Sequence, residues 1–379
     1  MSAPAPRSRV SVLTALRHAG ELTQVEIAAT TGLTAGTVST VVAGLLDDGL
    51  VRVRDVVRTG RRARAVTLIG PGGPLVGIHC YLDEARVLLD PGDGRAVIEA
   101  QAPLPDGRHA ERAVTAARDL LAGLLDAAGV TPEDLLTVAV GVPAPVEVRT
   151  GRVGGAGVRD GWGEVVAQPD LIAPGTVIFD NEGNLSALAE ARLGAGRGRG
   201  TVVQVSLSQG VSGGIVHDGE LVHGRTGTAG ELGHLTIDPL GPVCSCGNRG
   251  CLQVYAGSDA VTGLLTASHG PLSIDEVLDR AVLGDPGCRR VLSDVGRHLG
   301  TAMASVCAVL DPDVLVVGGT LSRAGDLLLD PLREVLAERT AVTSGAVVDV
   351  VAGELGPAAP ARGALLLARD WALADLLAR

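Results

Sequence analysis

Lysine is missing from this chain of 379 residues, so all 32 strongly basic side chains are arginines. Aromatic residues are nearly missing as well, at 1%, and the hydrophobic share of 46% must build its core from Val, Leu, Ile and Ala. The lack of lysine is typical of a GC-rich genome and indicates no particular chemistry.

Long apolar runs and a disulfide framework are also absent from the sequence. No stretch has the length and hydrophobicity of a membrane span, and the first nine residues lack the apolar segment of a signal peptide. Three of the six cysteines, Cys80, Cys288 and Cys307, stand alone and are predicted to be buried thiols. These absences predict a protein of the reducing cytoplasm with no membrane partner.

Charge is distributed unevenly along the chain, whose net charge is −11. The first 70 residues carry nine arginines against five acidic residues, a net charge of +4, which leaves −15 for the remainder. A basic segment attached to an acidic body favours a nucleic-acid-binding module joined to a second module. The length is likewise sufficient for two or three domains.

The pattern of the first 70 residues predicts a winged helix-turn-helix domain. Apolar residues at helical spacing predict three helices, the first ended by Gly20, the second at Gln24–Thr31 and the third capped by Thr34. Two β-rich runs, 50–57 and 65–69, flank an arginine-rich stretch, and we expect a hairpin with that stretch at its tip. A small helical domain with a solvated arginine loop is the alternative interpretation.

The third helix is expected to enter the major groove of DNA by its N-terminal half. The residues there are small or polar, and none is the Arg or Asn that makes strong bidentate base contacts. Affinity must therefore come from phosphate or minor-groove contacts of the predicted wing. The candidate DNA-binding residues are Thr34, Gly36, Thr37, Ser39 and Thr40 of the helix and Arg58, Arg61, Arg62 and Arg64 of the wing.

After a predicted linker at 71–74 the pattern changes to alternating strands and helices. Buried strands are predicted at Thr137–Val142 and Thr176–Phe179, and the second delivers the polar stretch 180–184 at its C-terminal end. Polar residues at that end of a strand are well placed to line a ligand cleft.

Four metal-ligand side chains are concentrated between positions 234 and 251. His234, Cys244, Cys246 and Cys251 provide one imidazole and three thiols, a usual tetrahedral set for zinc. Such ligands favour zinc over magnesium or calcium. Because four protein ligands close the coordination sphere, the ion is expected to be structural. A chance cluster of free cysteines is the alternative.

These motifs together resemble the ROK family, which comprises repressors, open reading frames and kinases. The most specific match is Glu231-Leu-Gly-His234 followed by the Cys-x-Cys-x4-Cys loop, and supporting matches lie at 180–184, 210–214 and 313–319. The resemblance covers nearly the whole chain. It implies an α/β protein in which an N-terminal winged helix-turn-helix precedes a two-lobed body of the actin-like, sugar-kinase ATPase fold.

The resemblance also implies a division into domains. We expect the winged helix-turn-helix at 1–70, a small α/β lobe at 71–190 and a large lobe with the zinc loop at 191–359. The C-terminal helix, 360–379, is expected to return to the small lobe.

The loops that bind ATP phosphates in the family's kinases are altered in this chain. Where those kinases carry Asp-x-Gly-x-Thr, this sequence has His79, Tyr81 and Asp83. A phosphate cradle needs small residues and free backbone N–H groups, whereas these residues bring bulk and negative charge. The second loop, usually Gly-Thr-Gly, is Ser208-Gln-Gly210. We therefore predict that the ATP phosphate site does not work.

The sugar-binding side of the family pattern is better preserved. The family's Asn-Asp pair, whose Asp is the catalytic base, is Asn181-Glu182 here, and the extra methylene moves the carboxylate by roughly 1.5 Å, enough to slow transfer about a hundredfold. Gln253 stands where a Glu is usual. The implied ligand-binding residues are Asn181, Glu182, Glu231, His234 and Gln253. A vestigial pocket that binds nothing is the alternative.

These expectations favour a DNA-binding transcriptional regulator, a repressor without enzymatic activity. Its expected partners are an operator with an inverted repeat, a sugar-like effector and further copies of itself in a homodimer or homotetramer. A sugar kinase with an appended DNA-binding domain is the main alternative, and a metal-sensing regulator is a weaker one. The sequence leaves open the effector, the operator and the sign of regulation.

Overall fold

The computed structural model describes residues 6–58, 60–70, 72–81, 83–104, 109–148, 150–154, 160–340 and 348–378. Its helices are α1 (Pro6–Ala19), α2 (Gln24–Thr31), α3 (Ala35–Asp47), α4 (Ala110–Ala128), α5 (Trp162–Ala167), α6 (Glu182–Leu193), α7 (Gln253–Ala256), α8 (Ser258–His269), α9 (Ile274–Val282), α10 (Pro286–Leu310), α11 (Asp326–Thr340) and α12 (Ala359–Ala378).

The strands alternate with these helices over most of the chain. They are β1 (Glu21–Thr23), β2 (Val51–Arg58), β3 (Arg61–Leu68), β4 (Leu75–Tyr81), β5 (Glu84–Asp90), β6 (Ile98–Pro103), β7 (Thr137–Val142), β8 (Val146–Glu147), β9 (Arg152–Val153), β10 (Val177–Asn181), β11 (Thr201–Leu207), β12 (Val211–His217), β13 (Glu220–Leu221), β14 (Val314–Gly318) and β15 (Asp349–Ala352). The predicted α/β class is confirmed.

The chain is divided into two compact units. The first comprises Met1–Val140, Ala167–Ile178 and Ala364–Arg379, and the second comprises Gly141–Val166 and Phe179–Gly363. Within the described residues no single helix is long and apolar enough to cross a membrane, and one bent pair, α2 with α3, passes on length and composition alone.

The three predicted N-terminal helices form, and local capping explains their ends. Thr23 and Glu26 make a capping box at the start of α2, which ends at Gly32 in the left-handed conformation, φ 68°. The Oγ1 atom of Thr34 accepts a hydrogen bond from the backbone N–H of Thr37 and caps α3. The domain core consists of Val12, Leu13, Leu16, Ile27, Val38, Val41, Val42, Leu45, Leu50, Val51, Val66 and Leu373.

The wing differs from the sequence expectation. Instead of a long arginine-rich tip, β2 and β3 continue to the register pair Arg58–Arg61, and β1 adds a third strand beside β3. Gly60 has a φ of 76°, which lets the chain reverse in so short a connection. The wing arginines therefore belong to strands, in which Val56 and Val57 of β2 lie opposite Ala63 and Arg62 of β3.

A five-stranded sheet follows, with the strand order β10-β7-β4-β5-β6. Strands β4, β5 and β6 are antiparallel neighbours, and α4 packs against them through one apolar face. Strand β10 runs two residues further than predicted, so that Asp180 and Asn181 are its last residues and α6 begins at Glu182.

The second unit is built on another five-stranded sheet, of order β13-β12-β11-β14-β15. Strand β11 pairs antiparallel with β12 and parallel with β14. Helices α10 and α11 pack together in its main core, where apolar Val, Leu and Ala residues dominate as the composition requires. The sequence analysis did not predict α8, α9, α11 or β15, because the hydrophobic periodicity of short amphipathic segments is weak.

Candidate metal centre and ligand site

The four predicted metal ligands lie together in the second unit. One ligand atom from each of His234, Cys244, Cys246 and Cys251 falls within 4.8 Å of all the others. The Sγ atoms of Cys246 and Cys251 are 3.7 Å apart, and Sγ of Cys244 is 3.7 Å from Nδ1 of His234. A zinc tetrahedron with bonds of about 2.3 Å has edges of about 3.8 Å, so these separations fit one shared ion.

The three thiols of this cluster shift one another's pKa values. For Cys244, burial raises the pKa, but hydrogen bonds from Cys246, Cys251 and Ser245 outweigh it and lower the pKa overall. Burial and the neighbouring thiols raise the pKa of Cys251 to about 12. Three thiolates this close repel one another unless a cation sits among them.

Backbone geometry closes the loop that carries these thiols. The backbone N–H of Cys244 donates to the carbonyl oxygen of Asn248, and that of Gly250 donates to Pro242. Gly250 has a φ of 60°, and a Cβ there would lie 1.6 Å from the carbonyl oxygen of Asp238. Only glycine fits, which is why the spacing between the last two thiols includes it.

His234 connects the candidate metal cluster with a carboxylate. Its Nδ1 atom faces Cys244, while Nε2 lies 3.9 Å from Oε2 of Glu231. Burial lowers the pKa of His234, which favours the neutral imidazole that ligates a metal. One side chain can therefore hold the metal and face a ligand.

Two carboxylates approach each other beside this histidine. Burial and, second, the negative charge of Glu182 raise the pKa of Glu231. Glu182 is the first residue of α6, and Asn181 caps that helix by accepting a hydrogen bond from the backbone N–H of Gly183 at 2.7 Å. Hydrogen-bond acceptors of this kind suit sugar hydroxyls.

Sequence reading missed the groups that hold these two segments together. The Oδ2 atom of the buried Asp180 is 2.6 Å from Nε2 of His223, and its Oδ1 accepts from Nδ2 of Asn184 at 2.9 Å. The hydrogen bond to Asp180 raises the pKa of His223, although burial opposes it. Asp180 borders the recognised Asn-Glu pair, but His223 lies outside every motif and gave no sequence signal.

Gln253 follows Cys251 by two residues, and its side chain reaches the loop 208–210. It begins α7, and its Oε1 atom lies 3.6 Å from the position of a Cβ on Gly210, in the loop 208–210. Ser258 holds that loop in place, because its hydroxyl donates a hydrogen bond to the carbonyl oxygen of Ser208 at 2.8 Å. The structure thus groups Gln253 with the segment that is predicted to correspond to the second phosphate loop.

The residues at the first phosphate loop lie in the other unit. His79 and Tyr81 belong to β4, and Tyr81 pairs with Glu84 across the turn to β5. Asp83 is exposed at this turn, whereas Leu82 lies outside the described residues. An exposed carboxylate at the turn would repel phosphates.

The predicted recognition residues begin α3. Gly36 and Ser39 are exposed. The Oγ1 atoms of Thr34 and Thr37 are 2.9 Å apart, and Thr40 donates its hydroxyl to the carbonyl oxygen of Gly36 at 3.0 Å. These hydroxyls retain acceptor lone pairs for the amino groups of bases.

The wing arginines divide into two groups. Arg62 and Arg64 are exposed on β3. Arg58 and Arg61 form the register pair next to the turn, but their side chains lie outside the described part of the structure.

The isolated cysteines follow expectation only in part. Cys80 and Cys288 are buried, whereas Cys307 is half-buried on α10, which corrects its prediction. Cys288 also has neighbours, because His269 and Asp285 lie beside it. In that group Asp285 caps α10 by accepting a hydrogen bond from the backbone N–H of Cys288, and its Oδ2 atom lies 3.1 Å from Nε2 of His269. Helix capping and packing therefore explain why the three residues lie together.

Two family models match the chain. Residues 107–371 match the model of the ROK family, and residues 6–62 match that of the MarR family. A xylose repressor from Caldicellulosiruptor bescii is 27% identical over 339 residues, which cover 84% of each chain. A glucokinase from Halalkalibacterium halodurans is 34% identical over 219 residues, which cover 53% of this chain and 66% of the glucokinase.

A solved structure has the same fold along its whole length. It is a ROK family transcriptional regulator described as a homolog of the E. coli MLC protein, and it aligns with a TM-score of 0.72 at 22% identity, covering 98% of this chain and 100% of that one. Its likeness supports the two-part architecture of an N-terminal helix-turn-helix and a kinase-like body. With most of its length matched by the family model, the chain belongs to the ROK family.

Proposed function

We propose that this protein is a DNA-binding transcriptional repressor that responds to a sugar-like effector and has no phosphotransferase activity. The observation that carries the proposal is the N-terminal domain, where a capped helix-turn-helix and an arginine-bearing hairpin precede the ROK body. A kinase has no need of such a domain. The named relative that aligns over 84% of both chains is a repressor.

The DNA contacts are proposed for both parts of that domain. Helix α3 presents Thr34, Gly36, Thr37, Ser39 and Thr40 at its N-terminal end, where recognition helices meet base edges. The arginines Arg58, Arg61, Arg62 and Arg64 supply phosphate contacts from β2 and β3. Two copies in a symmetric homodimer or homotetramer would read the two halves of an inverted repeat.

The effector is proposed to bind beside the metal cluster. Asn181, Glu182, Glu231 and His234 bring acceptors and one imidazole together, and Gln253 contributes an amide from the 208–210 side. The cluster of His234 and three cysteines is proposed to hold one structural zinc ion, which would orient His234 towards the effector.

A footprinting experiment on purified full-length protein tests the proposal. Binding to genomic fragments followed by DNase I digestion should show protection of an inverted repeat near a promoter. Addition of the correct sugar should change the affinity for that fragment. Equal affinity for all fragments would contradict sequence-specific regulation.

The second candidate function is a sugar kinase with an appended DNA-binding domain. The alignment with a glucokinase at 34% identity favours it. Against it stand His79, Tyr81 and Asp83 at the first phosphate loop, and Glu182 in place of the catalytic Asp. An assay for ATP-dependent phosphorylation separates the two functions, because only a kinase would turn over.

A further inference from the structure

A cleft in the first unit lies between the winged helix and two other segments. It has a volume of about 420 Å³ and is lined by residues of β1, β2 and β3, of the 90–97 segment and of α12. Its lining consists of Glu21, Arg52, Arg54, Thr67, Leu68, Ile69, Asp90, Gly94, Arg95, Val97 and Arg369. Four arginines and two acidic residues give it a net positive lining, although the chain as a whole is acidic.

Most of the charges in this cleft neutralise one another. Nε and Nη2 of Arg54 donate to the two carboxylate oxygens of Glu21 at 2.8 and 3.0 Å. Nη2 of Arg369 donates to Oδ2 of the buried Asp90 at 2.8 Å. Each acidic residue of the cleft thus already pairs with one arginine.

The third arginine, Arg95, is paired at the rim. Its Nε donates to Oδ2 of Asp93 at 2.7 Å, and its Nη1 donates to the carbonyl oxygen of Ala128 at 3.0 Å. It therefore adds little uncompensated charge.

Arg52 differs from the other three. Its guanidinium reaches over Gly94, with Nη2 3.0 Å from the position of a Cβ there, and it has no carboxylate partner among the residues that the structure describes. An uncompensated guanidinium in a concave site attracts anions, and its fork geometry matches phosphate oxygens.

A second, independent observation points to a missing acceptor in the same place. The Nε atom of Arg369 is buried and has no hydrogen-bond partner among the described residues. An unsatisfied buried donor costs about 1–3 kcal/mol, so such atoms usually have a partner. Arg369 also lines the cleft, and its enclosed Nε atom can meet an anion there only when the side chain turns towards the opening.

We propose that this cleft binds the phosphate group of a small phosphorylated molecule through Arg52 and Arg369. The volume exceeds the needs of a lone phosphate, which leaves room for an organic portion. Arg52 belongs to the wing strand β2, whereas Arg369 belongs to α12, whose Leu373 packs in the winged-helix core. A bound phosphate would therefore bridge β2 and α12, and it would alter the affinity for DNA to the extent that the free and DNA-bound forms bind it unequally.

Calorimetry of inorganic phosphate binding to the full-length protein tests this site at constant ionic strength, with acetate as the carboxylate comparison. The expected result is saturable binding of one phosphate per chain and no comparable binding of acetate. Arg52→Ala should weaken phosphate binding about tenfold, because one charge-assisted pair is lost. Arg290→Ala, on the exposed surface of α10, is the matched control and should bind like wild type.

A variant that is expected to raise the affinity for phosphate controls for misfolding. Glu21→Gln removes a negative charge from the cleft and should strengthen phosphate binding about threefold, which a misfolded protein would not do. Equal affinity of wild type and Arg52→Ala, or equal binding of phosphate and acetate, would overturn the proposal.

The DNA backbone is the competing source of phosphate groups. If the free protein binds no phosphate but Arg52→Ala weakens operator binding, Arg52 is a DNA contact and the proposed site is rejected. The calorimetry uses no operator, so a negative result there leaves the proposed regulatory function untouched.

Discussion

Nε2 of His223 lies 2.6 Å from Oδ2 of Asp180, and this pair joins two chain segments that are 43 residues apart. Asp180 ends β10 immediately before the Asn181-Glu182 pair, and His223 begins the segment that leads to Glu231. The contact therefore sets the spacing between the two halves of the proposed effector site.

The first prediction concerns the pH dependence of this pair. Because the hydrogen bond to Asp180 raises the pKa of His223 in the folded protein, the stabilisation is fully present below the unfolded value of about 6.5. It is lost as the pH rises through the raised pKa. His223→Gln should lower the free energy of unfolding by about 1–2 kcal/mol at pH 6 and by less at pH 9.

Urea denaturation across this pH range measures the effect. His217→Gln, which changes a more exposed histidine of β12, is the matched control. A constant difference between wild type and His223→Gln at every pH would show that the imidazole does not act through its charge.

The second prediction is that purified protein contains one zinc ion per chain. Cys246→Ser should lose the metal and lower the melting temperature by several degrees, because a structural ion contributes folding free energy. Cys307→Ser, outside the cluster on α10, should keep it. Elemental analysis and thermal denaturation measure both quantities, and freshly purified protein without zinc would contradict the assignment.

The third prediction is the absence of kinase activity. We expect no ATP-dependent phosphorylation of common hexoses above background, because Asp83 places negative charge at the phosphate loop and Glu182 displaces the catalytic base. A coupled assay of ADP release measures turnover. Activity that disappears in Glu182→Gln would establish an enzyme.

The fourth prediction concerns DNA binding by the wing. Arg62→Ala or Arg64→Ala should weaken binding to all sequences and reduce the slope of log K against log salt by about 0.9 for each lost phosphate contact. Thr37→Ala or Thr40→Ala should change the preferred sequence instead. Fluorescence anisotropy over a salt series measures the slope, with Arg323→Ala as an exposed control in the other unit. Wing variants that bind like wild type at every salt concentration would remove the wing from the interface.

The fifth prediction concerns coupling between effector and operator. A tenfold effect of the sugar on DNA affinity corresponds to about 1.4 kcal/mol, and the operator must change the sugar affinity by the same factor. Glu231→Ala should abolish the response to sugar while the free protein still binds DNA, and the exposed Glu334→Ala should respond like wild type.

Calorimetry of sugar binding with and without operator measures this coupling. Identical sugar affinity in both conditions would reject it. Failure of every sugar to bind would favour a vestigial pocket.

Local patterns in the sequence determined the elements whose signals are short-range. The capped helices α2 and α3, the strand Thr137–Val142 and the clustering of His234 with three cysteines could all be predicted, because caps, periodicity and residue spacing act within about twenty residues. The resemblance to ROK proteins extended this to the overall architecture, which the family and structural matches confirm.

Tertiary structure alone decided the contacts between distant segments. It paired Asp180 with His223 and turned His234 towards both Cys244 and Glu231. Among the described residues it left Arg52 without a carboxylate partner, in a cleft that Arg369 also lines. It also showed that the wing arginines lie on strands. Such contacts depend on packing between segments far apart in the chain, and no local preference specifies which partner a long polar side chain will meet.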